Sequence, residues 1–284
     1  MYSGFAIRQR GQSHIAKGIL CQDGARYHID TVGDGYAIAA VSDGHGGEKY
    51  FRSRVGAFVA VHEAIVCLRE FLAKHRQSLI DVERREKRLK GIEGHIISHW
   101  RGKLETFFAK SPLKQHEKDI CDKHGILPDI FQAQFYGATL LYACMTPDYS
   151  FASQIGDGAC VFIDADGKPE IPDSLADSRL GFGLTTSLCD TNAADNFRRH
   201  FVSATEGGSP KAVFLYTDGV VDSYERASFL TDFNRSVFDE MNKDKKNAVA
   251  QLRDWLPKLS QQGSQDDVSM AGVYRHDDAE GQEV

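Results

Sequence analysis

Short apolar runs bounded by glycine, aspartate or proline recur along this chain and predict buried β-strands. Runs of this length, interrupted by turn residues, are typical of strands in the core of a sheet. The predicted strands cover residues 37–42, 139–145, 149–155, 159–164, 212–217 and 268–274. They lie near the start, in the middle and near the end of the chain.

Three blocks of helical periodicity separate these strands. Apolar residues recur every three or four positions after Gly47, again over 92–108, and more weakly over 228–259. The stripe of the first predicted helix includes Phe58 and His62, so we expect His62 to pack in the core. The first two helices are expected to pair antiparallel against one face of a sheet. Separate blocks of strands and helices favour an α+β sandwich, with two antiparallel sheets face to face and helices outside.

Composition narrows the class of protein. The chain has 284 residues, which suits one sizeable globular domain or two small ones, and its net charge of −6 argues against a general nucleic-acid binder. No apolar stretch approaches the ~20 residues that cross a bilayer, and the N-terminus lacks a signal-peptide pattern. Six scattered cysteines are typical of reduced thiols. We therefore expect a cytoplasmic location, with no nucleic-acid and no membrane partner.

A basic stretch departs from this overall charge. Residues 69–90 carry eight Lys or Arg against four Asp or Glu. One interpretation is a docking patch for an acidic or phosphorylated partner. The other, which we favour, is a solvated helix end and loop, because such charge runs usually have that origin.

Acidic motifs lie at or near the ends of three predicted strands. They are Asp43-Gly44-His45-Gly46-Gly47, Asp218-Gly219 and Asp266-Asp267. A lone Asp-Gly usually marks only a turn. If the three strands lie in one core, however, their carboxylates meet at one edge of that core. Carboxylates that share a cleft repel one another, and hard divalent cations relieve the repulsion. The pattern indicates a Mg²⁺- or Mn²⁺-dependent hydrolase.

Further motifs make the chain resemble the PPM family of metal-dependent serine/threonine protein phosphatases, and its bacterial branch in particular. The resemblance runs in family order from about Gly11 to Tyr274. It rests on Gln22-Asp23, Val41-Ser42-Asp43-Gly44-His45-Gly46-Gly47, Gly137-Ala138-Thr139, Ile155-Gly156-Asp157-Gly158, Tyr216-Thr217-Asp218-Gly219-Val220 and Asp266-Asp267-Val268-Ser269. The resemblance implies a four-layer αββα sandwich, with a phosphatase domain over 1–275 and a variable flap at about 168–210. The tail over 276–284 is acidic and poor in apolar residues, so we expect it to be disordered.

The resemblance also implies a centre of two Mn²⁺ or Mg²⁺ ions, with a third as a further option. Metal-ligand roles fall on Asp23, Asp43, the Gly44 carbonyl, Asp218, Asp266 and, more weakly, Asp157. Asp43 would bridge both ions, and a water or hydroxide between them would attack the phosphorus. His45 would act as general acid on the leaving oxygen. Two alternatives stay open: Asp157 caps a turn, or His45 only hydrogen-bonds a carboxylate.

One departure from the family concerns substrate binding. Relatives commonly carry an arginine four or five residues before the position of Asp23, and it grips the substrate phosphate. Gly18 and Ile19 stand there in this chain. Lys17, His14 or Arg10 are the candidates to replace it, although a lysine is a point charge and not a bidentate fork.

The predicted function is hydrolysis of phosphoserine and phosphothreonine in a protein substrate, opposing a Ser/Thr kinase. A pseudophosphatase that binds a phosphoprotein without turnover is the alternative, motivated by the missing arginine. Hydrolysis of small phosphate esters is a third option.

Overall fold

The computed structural model describes residues 1–177, 185–205, 208–224 and 227–276. Its ten strands are β1 Tyr2–Gln9, β2 Gly24–Asp30, β3 Tyr36–Ser42, β4 Leu140–Met145, β5 Tyr149–Ile155, β6 Ala159–Ile163, β7 Pro169–Glu170, β8 Arg198–Ser203, β9 Ala212–Tyr216 and β10 Val268–Arg275. Its α-helices are α1 Gln12–Lys17, α2 Ser53–His75, α3 Val82–Lys110, α4 Gln115–His124, α5 Asp218–Val221 and α6 Ala227–Gln262. The strands predicted from periodicity are confirmed to within one residue at each end, whereas the helix predicted over 92–108 begins ten residues earlier, at Val82.

Two antiparallel five-stranded sheets form the centre of the molecule. One has the order β1-β10-β9-β6-β7 and the other the order β2-β3-β4-β5-β8. Small and branched aliphatic side chains fill the space between them, including Ala39, Ala143, Ala271, Val213 and Leu215. Every residue of β3 is buried, because one face of this strand meets the other sheet and its other face meets α2.

Helices cover the outer faces of both sheets. A cluster around Leu68 and Trp100 packs α2 and α3 on the second sheet, and a cluster around Met241 and Leu256 packs α6 on the first. The backbone of α6 breaks at Asp244 (φ −153°, ψ 92°), whose Oδ1 accepts a hydrogen bond from the Asn247 amide at 3.1 Å. That break gives two helical segments on this side. The predicted α+β fold of two antiparallel sheets with outer helices is confirmed.

The expected apolar stripe of α2 is confirmed at Ile65 and Leu72, which are buried, and is wrong at two of its members. The His62 side chain is 45% exposed and Phe58 is 52% exposed. The buried face also carries small residues, namely Gly56, Ala57, Ala60 and Ala64. The reason is a close backbone approach: a Cβ at Gly56 would lie 1.8 Å from the Tyr136 carbonyl oxygen. Helix contact at this distance requires small side chains, which a count of large apolar residues overlooks.

The predicted flap at 168–210 contains β7 and β8, while 178–184 and 206–207 lie outside the described residues. Of the predicted tail, 277–284 also lie outside them. The domain boundaries and the tail therefore stay predictions. None of the described helices has the length and apolar character needed to cross a membrane, and the cytoplasmic location stays a prediction.

Candidate active site

The Asp43 loop is fastened to the segment that precedes β4. The Thr139 amide donates to the Asp43 carbonyl at 2.9 Å, and the Asp43 amide donates to Thr139 Oγ1 at 2.9 Å. A Cβ at Gly44 would lie 2.7 Å from the Gln22 carbonyl oxygen, so glycine is needed for this approach. The structure thus holds Asp43 at the end of β3, beside the segment that carries Asp23.

Thr217 connects three of the acidic motifs, a role that the sequence analysis missed. Its Oγ1 donates to Asp23 Oδ2 at 2.8 Å and accepts from the Ser269 amide at 3.1 Å. A Cβ at the following Gly219 would lie 1.9 Å from the Asp267 carbonyl oxygen. The ends of β9 and β10 therefore meet beside Asp23. In the sequence, the available signal was a hydroxyl-bearing residue directly before Asp218, at the end of a predicted buried strand.

Asp267 is a buried acceptor for backbone amides at two points of the chain before Asp23. Its carboxylate, on a residue only 2% exposed, accepts hydrogen bonds from the Gly11 and Gln22 amides, both at 2.6 Å. His14 Nδ1 lies 2.9 Å from the same carboxylate, and His14 Nε2 lies 3.9 Å from Asp266 Oδ1. The structure therefore brings His14, predicted to bind phosphate, against these two carboxylates.

The predicted carboxylates lie close enough to perturb one another. Burial, followed by the charges of Asp23, Asp266 and Asp157, raises the pKa of Asp43 well above its ordinary value. Burial, followed by Asp43, Asp157 and Asp266, raises the pKa of Asp218 to about 9. The five acidic residues proposed from the sequence thus share one field of mutual repulsion.

Asp23 is the most deeply enclosed member of this group. Burial, followed by the charge of Asp267, raises its pKa to about 8, although the neighbouring Ser269 and Thr217 hydroxyls act in the opposite sense. Its Oδ1 is buried and has no hydrogen-bond partner within the described part of the chain. Hard divalent cations bind carboxylate oxygens, and they relieve the repulsion between carboxylates that lie close together. An unpartnered carboxylate oxygen within such a group is therefore a suitable ligand for one of these cations. The residues present fit Mn²⁺ or Mg²⁺.

The His45 ring is held at the edge of this group. It packs edge-on against Tyr50 with 4.9 Å between ring centroids, and a Cβ at Gly137 would lie 2.8 Å from its Cδ2. Burial lowers the pKa of His45, while the charges of Asp157 and Asp190 raise it. Its neighbours therefore fix the position of the ring, which lies within electrostatic reach of two carboxylates.

Asp190 is a second residue that the sequence analysis missed. Its Oδ2 accepts a hydrogen bond from the Ser187 amide at 2.9 Å. The Leu188 amide donates to the Ala138 carbonyl at 2.9 Å, so this turn lies against the 137–139 segment. No sequence signal singled out Asp190, because it falls within the expected flap.

The remaining phosphate-binding candidates lie on the segment that holds His14. Lys17 is exposed in the last turn of α1, before Gly18 in the left-handed conformation (φ 69°). Arg10 Nη1 donates to the Ile19 carbonyl at 3.4 Å. Their contact with substrate stays a prediction.

Comparison with known families decides the relationship of this chain. A family model described as protein phosphatase 2C matches residues 10–257. The chain belongs to the protein phosphatase 2C family. This assignment confirms the resemblance found in the motifs. No curated protein matches this phosphatase 2C chain in sequence.

Solved phosphatases share the fold. Serine/threonine phosphatase Stp1 from Staphylococcus aureus is 12% identical with TM-score 0.60, covering 97% of this chain and 96% of that one. The S. agalactiae serine/threonine phosphatase is 13% identical with TM-score 0.57, covering 96% and 99%. The catalytic domain of the serine/threonine protein phosphatase PstP, solved with two manganese ions, is 13% identical with TM-score 0.55, covering 97% and 99%. At such identities the likeness shows the fold of this phosphatase 2C domain.

Proposed function

We propose that this chain is a Mn²⁺- or Mg²⁺-dependent phosphatase that hydrolyses phosphoserine and phosphothreonine in a protein substrate, opposing a Ser/Thr kinase. The observation that carries the proposal is the cluster of carboxylates on Asp23, Asp43 and Asp218, whose pKa values are raised by burial and then by neighbouring acidic charges, with Asp23 Oδ1 left without a partner among the described residues. Such a cluster gains stability from divalent cations, and the family supplies the reaction.

The proposed ligands follow from the motifs. Asp43 would bind two ions, the Gly44 carbonyl would complete one coordination sphere, and Asp218 with Asp266 would hold the other ion. Asp23 would act partly through water, and Asp157 would serve a weaker third ion. When bound, the ions would supply an ionised water at neutral pH and neutralise charge on the phosphoryl oxygens. The chain's own contribution is to hold the segments that carry the proposed ligands in place, through hydrogen bonds of Thr139, Thr217 and Asp267.

His45 is proposed to protonate the leaving alkoxide. Burial lowers the pKa of this imidazole, and the nearby Asp157 and Asp190 act against that change. A bound phosphate dianion would favour the protonated ring in the same sense as these carboxylates. His45→Ala is expected to slow alkyl phosphate esters by about 10²–10⁴-fold, since that is the range for general acids. Aryl esters should be slowed far less, because their leaving groups need little protonation, and an equal loss on both would remove His45 from this role.

Lys17 and Arg10 are proposed to attract the substrate phosphate through their positive charges. His14 is retained as a third candidate, although its Nδ1 lies 2.9 Å from Asp267 Oδ2. A phosphate contact by that nitrogen would require Asp267 to give up the interaction.

The test is hydrolysis of para-nitrophenyl phosphate with Mn²⁺, with Mg²⁺ and with a chelator. Purified Asp218→Asn serves as the control for contaminating activity, with circular dichroism to confirm its fold. We expect metal-dependent turnover that falls at least about a hundredfold in the variant, because bound metal contributes several kcal/mol to such reactions. Full activity in Asp218→Asn would end this mechanism. Absence of turnover in the unmodified protein, with Mn²⁺ binding shown by calorimetry, would favour the pseudophosphatase. A phosphopeptide compared with a small phosphate ester then separates the substrate classes.

A further inference from the structure

Three side chains with metal-binding atoms meet between α2 and α3, outside the carboxylate cluster. They are Cys67 on α2 and His95 with His99 on α3. The Cys67 sulfur and one ring nitrogen of each histidine all lie within 4.8 Å of one another. Thiolate and imidazole ligands at this separation are typical of a transition-metal site.

The helix geometry explains why these residues meet. His95 and His99 are one turn apart on α3, so their side chains share a face, and their ring centroids are 4.2 Å apart. Cys67 faces them from α2. Further along the interface, Trp100 Nε1 donates to the Gly56 carbonyl at 2.9 Å. The two helices thus pass antiparallel, and both the thiol and the imidazoles belong to their shared interface.

A buried carboxylate supports the histidine pair. Glu63 is 2% exposed and precedes Cys67 by one helical turn. Its Oε2 lies 3.4 Å from His99 Nδ1, which makes Nδ1 the protonated nitrogen and leaves Nε2 for a ligand. A carboxylate that orients a ligating histidine through its other ring nitrogen is the usual support of a metal site. Within the described residues, both ion-pair partners of Glu63 are histidines, namely His62 and His99.

A cavity connects this group to solvent. It has a volume of about 790 Å³, and both Cys67 and His95 line it. Cys67 is 1% exposed, whereas His95 is exposed and the His99 side chain is 36% exposed. A metal ion can therefore enter from the histidine side and reach the buried sulfur. The lining also carries four basic residues against Glu70, so it would accept an anion as an additional ligand; they are Lys74, Arg84, Lys87 and Arg88.

We propose that Cys67, His95 and His99 bind one Zn²⁺ ion, with water or a small anion in the fourth position and Glu63 orienting His99. Binding replaces the thiol proton, which passes to solvent, with a sulfur–metal bond. The sulfur and nitrogen ligands select against Mg²⁺ and Mn²⁺, which prefer oxygen. This site is separate from the proposed catalytic centre. The ion would join α2 to α3, and α2 begins shortly after the loop that carries Asp43 and His45.

The test uses Co²⁺ as a spectroscopic substitute in the full chain after removal of bound metals. We expect one equivalent to produce the near-ultraviolet thiolate-to-cobalt charge-transfer absorption, and Zn²⁺ to displace it. Cobalt held by the ligands proposed for the carboxylate centre would not give this band, because those ligands are all oxygen atoms. The readout is therefore independent of phosphatase activity. Glu63→Gln should weaken Co²⁺ binding at the sulfur site by about 10–100-fold, the usual effect of losing such a partner.

Matched variants decide the assignment. Cys67→Ser and the double variant His95→Ala/His99→Ala should abolish the band, whereas His116→Ala and Cys121→Ser should retain it. His116 is an exposed histidine on α4, and Cys121 is a buried thiol on the same helix. The histidine variants keep the test valid if Cys67→Ser fails to fold, because they lie on the exposed rim. Absence of the band in the unmodified protein, or its persistence in the double histidine variant, would overturn the proposal.

Discussion

Replacing Asp267 tests whether one buried carboxylate organises the candidate active site. Its oxygens accept hydrogen bonds from the Gly11 amide and the Gln22 amide, both at 2.6 Å, and lie 2.9 Å from His14 Nδ1. The chain separation between Asp267 and Gly11 is 256 residues, so the contact joins the two ends of the domain. Without it, the segment that carries Asp23 loses its attachment to the start of β10.

The magnitude follows from the donors left behind. Asp267→Ala leaves two amide N–H groups without their acceptor, one buried and one partly buried. An unsatisfied buried donor costs about 1–3 kcal/mol, and a partly buried one costs less because water can reach it. We expect a loss of about 2–5 kcal/mol in the free energy of unfolding. Asp267→Asn keeps one acceptor oxygen and turns its amide towards the second donor, so about half of that loss is expected.

Urea unfolding of the metal-free protein measures both variants. Asp254→Ala, an exposed aspartate on α6, is the control and should change stability by less than about 0.5 kcal/mol. Mn²⁺ affinity, measured by calorimetry under folding conditions, should fall in both variants, because Asp23 and Asp266 are held less firmly. The loss should be larger in Asp267→Ala than in Asp267→Asn. A loss below about 1 kcal/mol in Asp267→Ala would refute the reasoning, as would unchanged Mn²⁺ affinity in a folded variant.

Two further predictions concern the frame around the site. Gly56→Ala should destabilise the protein by about 1–3 kcal/mol or more, because its Cβ would lie 1.8 Å from the Tyr136 carbonyl oxygen. Gly102→Ala on α3, with open space at its Cβ, should be neutral or stabilising by up to about 1 kcal/mol in the same thermal melts. Glu117 accepts from Arg52 Nε and Nη2 at 2.8 Å, and although burial alone would raise its pKa, these bonds lower it. The ion pair with Arg52 therefore stabilises the fold above about pH 4, and this stabilisation is lost as pH falls through the pKa of Glu117 in the folded protein. Glu117→Ala should cost ~3–5 kcal/mol of stability at pH 7, and urea unfolding at acid pH should show a smaller difference from the unmodified protein. A difference that stays constant with pH would contradict this prediction.

Local pattern was enough to predict most strands and the acidic motifs. The runs that became β3, β9 and β10 are short, apolar and bounded by Asp or Gly, and these features depend only on neighbours in the chain. The order of the motifs then predicted the family, which the family model over residues 10–257 confirms. The ligand roles of Asp43, Asp218 and Asp266 remain predictions, although the structure places all three in one electrostatic group.

Contacts between distant segments were decided by the tertiary structure alone. The buried face of α2 depends on how closely Gly56 approaches Tyr136, and this distance has no trace in the spacing of large apolar residues. The anchoring of Gly11 by Asp267 and the meeting of Cys67 with His95 likewise depend on how sheets and helices pack. Periodicity reports which residues avoid water within one element, whereas the partner of a buried polar group is set by the element packed against it.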